Sequence, residues 1–248
     1  MSLAPLQKAL FRYDPILRKD LQLSGTLHFP EVEKVLPTFY EQLFEKVHIR
    51  ITVSRKSFEL GLEGESESLK DLVRNQFLRI EDELRRGLRE VLEQDPIFCF
   101  TKVKDHLDAY ITDFQGGENN DCVYTFTRSD STQQSINIPS VAQFVMDPDG
   151  KLLSMHIQQK GVLSQLEFST FERGDFLYFG SILLKQSQGE LRQTRQISLS
   201  YGQTQGVVYP EKITFSDLDD RGEPLKKSGN LNPVSMILKY VALENLGP

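Results

Sequence analysis

The hydrophobic pattern from Ile97 to about residue 216 has a period of two, and that period predicts strands. The alternating runs are 97–103, 107–115, 121–128, 133–146 (broken by Pro139), 151–159, 162–172, 175–186, 191–201 and 206–216. Between them stand "QGGENND", "RSDS", "DPDG", "QKG", "ERGD", "SQGE" and "GQTQG", which are rich in turn-forming residues. Turns this short join antiparallel neighbours, because a parallel crossover needs a dozen or more residues. The pattern therefore predicts a meander. Its runs are longer than the five or six residues usual for a strand, which favours a strongly curved sheet or barrel.

Ahead of the meander the period is mostly helical. Residues 1–47 read as a helical N-terminal segment cut by Pro5, Pro15, Pro30 and Pro37, with a stripe of Val32, Val35, Leu36, Phe39, Tyr40, Leu43 and Val47. The stretch "HIRITVSRKSFELGLEG" reads as a hairpin, with Ile49, Ile51 and Val53 alternating on one arm and Phe58, Leu60 and Leu62 on the other. A long helix is expected over 68–95. Ser68 and Asp71 form its capping box, and Leu69, Leu72, Val73, Phe77, Ile80, Leu84, Leu88, Val91 and Leu92 form its apolar stripe. Asn232 and Pro233 suit the start of a terminal helix over 233–246, striped by Val234, Ile237, Leu238 and Val241, with a strand as the competing reading.

Together these elements predict an α+β fold: a strongly curved antiparallel sheet or barrel covered by a long helix. No linker of low complexity divides the chain, so 1–248 reads as one domain: a helical segment to 47, hairpin plus helix over 48–95, meander over 97–216, and loop plus terminal helix over 217–248. "DFLYFGSILLKQ" is apolar at almost every position and is expected to be buried on both faces. "SDLDDRGEPLKKSGN" reads as an exposed, mobile loop.

The charge balance narrows the functional classes. With net charge −6 and no basic stripe, the chain is a poor partner for nucleic acid. Arg85, Arg86 and Arg89 are interleaved with Glu81, Glu83, Glu90 and Glu93, as on a solvated helix face. No apolar run reaches the length of a membrane span. His28, His48, His106 and His156 have no ligand spacing, and "DLDDRGE" lacks the periodic acids of a calcium loop. Cys99 and Cys122 suit either a disulfide between neighbouring strands or two buried thiols. No hydrolase, Walker or dinucleotide motif is present, so neither a catalytic residue nor a cofactor or metal is expected.

Aromatic residues are the remaining signal. The 16 Phe and 8 Tyr concentrate in the meander, and some would line a concavity able to take an acyl chain, at roughly 0.8 kcal/mol per buried methylene. The strands with the cleanest alternation nominate Tyr124, Phe126, Phe144, Leu166, Phe168, Phe176, Tyr178, Ile197, Leu199, Tyr201, Tyr209, Ile213 and Phe215 as that lining.

The closing stretch "QISLSYGQTQGVVYPEKITF" carries Ile197 to Tyr201, then Gly206, Pro210 and Ile213. This spacing resembles the closing strands of the LolA/LolB-like periplasmic lipoprotein carriers, and "FVMDPDGKLLSMHI" followed by "FLYFGSILL" resembles the strands before them. The resemblance spans roughly residues 120–216. It implies that the curved antiparallel sheet is an incomplete barrel closed by helices, binding of a lipid-like or lipoprotein acyl ligand without catalysis, a lipid or lipidated protein as partner, and a periplasmic or otherwise exported location. The opening "MSLAPLQKALFRYDP" has no secretory core or cleavage site, which leaves a cytoplasmic location as the alternative. The alternatives to the carrier are a START-like helix-on-sheet ligand-binding domain and a scaffold subunit without a small ligand.

Overall fold

A computed structural model describes residues 3–13, 21–33, 47–53, 58–64, 96–117, 120–129, 138–225 and 232–245. Helix α1 (Ala4–Phe11) opens the chain, followed by strand β1 (Leu21–His28) and the four-residue helix α2 (Pro30–Glu33). The hairpin β2 (Val47–Val53) and β3 (Phe58–Gly64) precedes α3 (Pro96–Asp105), then β4 (Tyr110–Gly116) and β5 (Cys122–Arg128). The meander continues through β6 (Val141–Met146), β7 (Leu152–Gln159), β8 (Val162–Arg173), β9 (Phe176–Gln188), β10 (Leu191–Thr204) and β11 (Val207–Leu218), and β12 (Val234–Asn245) ends it.

Among the described residues the hydrogen-bonded strand order is β3-β2-β1-β12-β11-β10-β9-β8-β7-β6-β5-β4, and every pairing whose register is resolved is antiparallel. The order has two ends, β3 and β4, so the sheet is open. This corrects the expected α+β incomplete barrel with a long covering helix. No helix among the described residues exceeds ten residues, and the expected helix 68–95 lies outside them. None of the described helices is long and apolar enough to cross a membrane.

Three local expectations change with it. The expected terminal helix 233–246 is strand β12, because Val234, Met236 and Leu238 also alternate and β11 and β1 supply backbone partners on both sides. The helical segment 1–47 contains strand β1, whose Leu23 and Leu27 are buried at a spacing of four that strand and helix share. Its stripe over 34–46 lies outside the described residues. The expected strand 97–103 is helix α3: Pro96 starts it, as proline can at the first turn, and Cys99, Phe100 and Val103 then fall on one buried side. The hairpin at β2 and β3 forms with Val53 opposite Phe58.

The chain divides into two compact units. Unit 1 holds residues 1–14, 92–198 and 217–225. Its strands alternate cleanly, and register sorts them into rows. Tyr124, Phe144, Met155, Leu166 and Leu184 stand opposite one another across five strands and are all buried. One residue along, the other side carries Asp113, Thr125, Gln143, His156, Gln165, Lys185 and Thr194. That polar row is the solvent side of a one-faced antiparallel sheet. Two-residue turns keep the register. Lys160 and Gly161 both have positive φ (51° and 77°), the geometry that matches strand twist in a hairpin.

The apolar side of unit 1 is covered by α3 and α1. Phe100 on α3 meets Phe144 and Phe126 edge-on at centroid distances of 6.0 and 6.5 Å. Leu6 and Leu10 of α1 are fully buried, and Tyr13 just beyond it stacks on Phe179 at 4.4 Å. Burial on both faces in β9 is confined to Leu177, Tyr178 and Phe179, next to a register shift opposite Ser169 and Thr170.

Unit 2 holds residues 15–91, 199–216 and 226–248. Leu27 stands opposite Leu238 and Ile213 opposite Met236, and Leu23, Ile51, Val207, Val208 and Tyr209 are buried with them. Glu31 of α2 accepts a hydrogen bond from the Ser235 amide at 2.8 Å. Burial alone works to raise the Glu31 pKa, but hydrogen bonds from Ser235 and the nearby Lys212 hold it below the usual value.

Candidate functional site

The thirteen nominated lining residues fall into both units. Tyr124, Phe126, Phe144, Leu166, Phe168, Phe176, Tyr178 and Ile197 belong to unit 1, and Leu199, Tyr201, Tyr209, Ile213 and Phe215 to unit 2. In unit 1, Tyr124, Phe126, Phe144, Leu166, Phe168 and Ile197 share a side that the chain itself occupies, whereas Phe176 and Tyr178 fall on the opposite side, beyond the register shift in β9. Phe126 and Phe144 are 0% exposed, and Phe100, Tyr110 and Tyr124 close around them. Phe168 and Phe176 are half-buried, and Phe168 rests on Phe179 at 4.9 Å. An interior in which aromatic edges meet faces at 6.0 to 6.5 Å is packed as a core is packed.

The ionisation of the tyrosines follows from this packing. Burial pushes Tyr110 up to about 12, and its hydroxyl donates to the Pro139 carbonyl at 2.7 Å. Burial also raises Tyr13, Tyr124 and Tyr178. All four phenols therefore stay protonated near neutral pH, and those of Tyr13 and Tyr110 serve as structural hydrogen-bonding groups.

In unit 2 the nominated residues are less enclosed. Tyr209 is buried, with its pKa raised by that burial, while Leu199, Tyr201, Ile213 and Phe215 are half-buried.

Unit 1 also carries a groove of about 670 Å³ that the hydrophobic pattern did not indicate. Residues of β8, β9 and β10 line it, together with the turn after β11. Gln165, Gln186, Gln193, Gln196, Ser187 and Thr194 supply amides and hydroxyls, Lys185 and Arg192 positive charge, Asp219 and Asp220 negative charge, and Leu163, Leu183 and Leu218 the apolar part. Such a lining is far more polar than that of an ordinary small-molecule pocket. The sequence signal was present but faint, as a run of outward-facing Gln, Thr and Lys on neighbouring strands.

The first half of the expected exposed loop is a hydrogen-bonded turn whose residues 220–224 are exposed. Asp219 Oδ1 accepts from the amides of Arg221 and Glu223, both at 2.9 Å, and the Asp219 amide donates to the Glu223 carbonyl at 2.9 Å. Asp217, just before it, accepts from Arg195 Nε at 2.7 Å and from Gln193 Nε2 at 3.2 Å. Residues 226–231 lie outside the described residues.

Cys99 and Cys122 are free thiols, Cys99 buried and Cys122 half-buried, which resolves the disulfide alternative. Among the described residues no three His, Cys, Asp or Glu side chains come together as a metal site. Neither the family models, the curated proteins nor the solved structures contain a match to this chain.

Proposed function

We propose that this chain is a binding protein that holds its partner on the outer surface of its sheet, in the manner of a scaffold subunit, rather than around a guest in an apolar interior. The filled interior of unit 1 supports this reading: Phe100 occupies the place against Phe126 and Phe144 that an acyl chain would need. Native mass spectrometry and organic extraction of the purified full chain test it. The expected result is no bound lipid and no uptake of an apolar fluorophore. Stoichiometric lipid would overturn the surface reading.

A second reading keeps the lipid-like ligand suggested by the resemblance to lipoprotein carriers and assigns it to unit 2. The half-buried state of Leu199, Tyr201, Ile213 and Phe215 favours it, because these side chains retain apolar surface that a ligand could cover. Under this reading Phe215→Glu abolishes fluorophore uptake while Phe144→Leu leaves it unchanged.

A further inference from the structure

The geometry points to the polar groove of unit 1 as a binding site for an extended peptide segment that carries both a carboxylate and a cationic side chain. This rests on the surface-binding reading and names its partner chemistry. Four charged side chains line the groove, and two of them are already engaged. Lys185 Nζ lies 2.7 Å from Glu167, and the Asp219 carboxylate is held by the amides of its own turn. Arg192 and Asp220 differ: both are exposed, both line the groove, and among the described residues neither side chain makes an ion pair or hydrogen bond, with each other or with any other group.

One groove thus presents a free guanidinium and a free carboxylate that do not satisfy each other. A polyanion would meet Asp220 and Asp219, and a polycation would meet Arg192, so an occupant of one sign gains at one of these side chains and loses at the other. A segment bearing both signs satisfies both.

The rest of the lining suits a polypeptide. Gln165 donates through Nε2 to Glu167 at 3.2 Å, which directs its carbonyl oxygen away from that contact. Gln196 and Thr194 add further donors and acceptors of the kind that pair with peptide groups. Leu163, 49% exposed, offers one apolar spot. No Phe, Tyr or Trp lines the groove, so a sugar ring would find no stacking platform.

Binding of the full chain to fluorescent synthetic peptides, measured by anisotropy, tests this. The peptides would be Glu-only, Lys-only and mixed Glu/Lys in composition, with a neutral oligosaccharide as control. The expected result is selective binding of the mixed peptide, weakened about tenfold or more by Arg192→Glu and by Asp220→Lys, and weakened by added salt. Both positions are exposed, so neither variant endangers folding, and circular dichroism checks that. Equal binding of Glu-only peptide, preferential binding of the oligosaccharide, or mixed-peptide binding unmoved by both variants would overturn the assignment. Absence of all peptide binding together with absence of lipid and fluorophore uptake would sink the peptide groove alone. Recovery of bound lipid would sink the surface reading beneath it.

Discussion

The Tyr13 hydroxyl accepts a hydrogen bond from the backbone amide of Leu152 at 2.8 Å, across 139 residues of chain. Both groups are buried, so water cannot replace either partner. The same phenol bonds the Thr170 side chain, and its ring stacks on Phe179. Arg12 extends the anchor: its carbonyl accepts from the Leu177 amide at 2.8 Å, and its guanidinium reaches Glu172. A short helix that would be marginal alone is thereby fastened to β7, β8 and β9.

Tyr13→Phe keeps the ring and removes the hydroxyl, which leaves the Leu152 amide buried without its partner. The expected cost is about 1–3 kcal/mol of unfolding free energy. Urea denaturation should show a lower midpoint with an unchanged slope. A midpoint equal to that of the parent protein would mean that water reaches Leu152.

Phe100→Ala is expected to cost more, about 3–5 kcal/mol, because it deletes a ring 3% exposed at the centre of the aromatic cluster. It also tests the filled-interior argument. With the ring gone, the space against Phe126 and Phe144 should admit a small apolar probe that the parent protein excludes. Titration calorimetry with benzene reads this directly.

Helix α3 shows where the sequence was legible and where it was not. "IFCFTKV" satisfies a period of two and a period near four at once, since seven residues are too few to separate them. Pro96 was the deciding signal, and a proline that ends one helix can equally begin the next. β12 presented the same ambiguity and was resolved by neighbours far away in sequence, β1 and β11, which no local pattern contains. The meander over β4 to β11 was legible because alternation and turn chemistry agreed at the described steps, while residues 130–137 of the expected run and turn lie outside the described residues. The aromatic cluster was legible as apolar, but not as filled, because the residues that fill it come from α1 and α3. The groove was hardly legible at all: its free charges, Arg192 and Asp220, look like any surface residues until the turn after β11 brings them together.

Alkaline pH should weaken the fold through Tyr110. Its folded-state pKa is about 12 against an ordinary value of 10.0, so the folded protein holds the proton where the unfolded chain releases it. The stabilisation is fully present below about pH 10 and is lost as pH rises towards 12. At ~1.4 kcal/mol per unit the loss amounts to roughly 2–3 kcal/mol. Tyr13, Tyr124, Tyr178 and Tyr209 are raised as well and add to the same fall. Unfolding free energies measured from pH 8 to 12 should decline less steeply in Tyr110→Phe, and identical slopes would show that Tyr110 ionises as freely folded as unfolded.

Gly25 sits at the register shift between β1 and β12, where Ser24 faces Ala242 but Thr26 faces Lys239. Two residues of β12, Tyr240 and Val241, therefore answer one residue of β1, the arrangement of a β-bulge. Tyr240 takes a left-handed φ of 52° there, which costs a bulky side chain energy that the surrounding pairing must offset. A methyl group on Gly25 would lie 2.8 Å from Leu238 Cδ1 and 3.0 Å from the Lys239 carbonyl oxygen. Leu238 is buried opposite Leu27 and has little room to yield, and the carbonyl belongs to the ladder itself. Gly25→Ala should therefore destabilise unit 2 by about 1–3 kcal/mol. Tyr240→Gly should do the reverse, relieving the left-handed strain at a side chain that is 82% exposed and has little packing to lose. Hydrogen exchange on the amides of β1 and β12 separates the two effects: faster exchange in Gly25→Ala, slower or unchanged exchange in Tyr240→Gly. Faster exchange in both would mean that Tyr240 is held in place by contacts worth more than its strain.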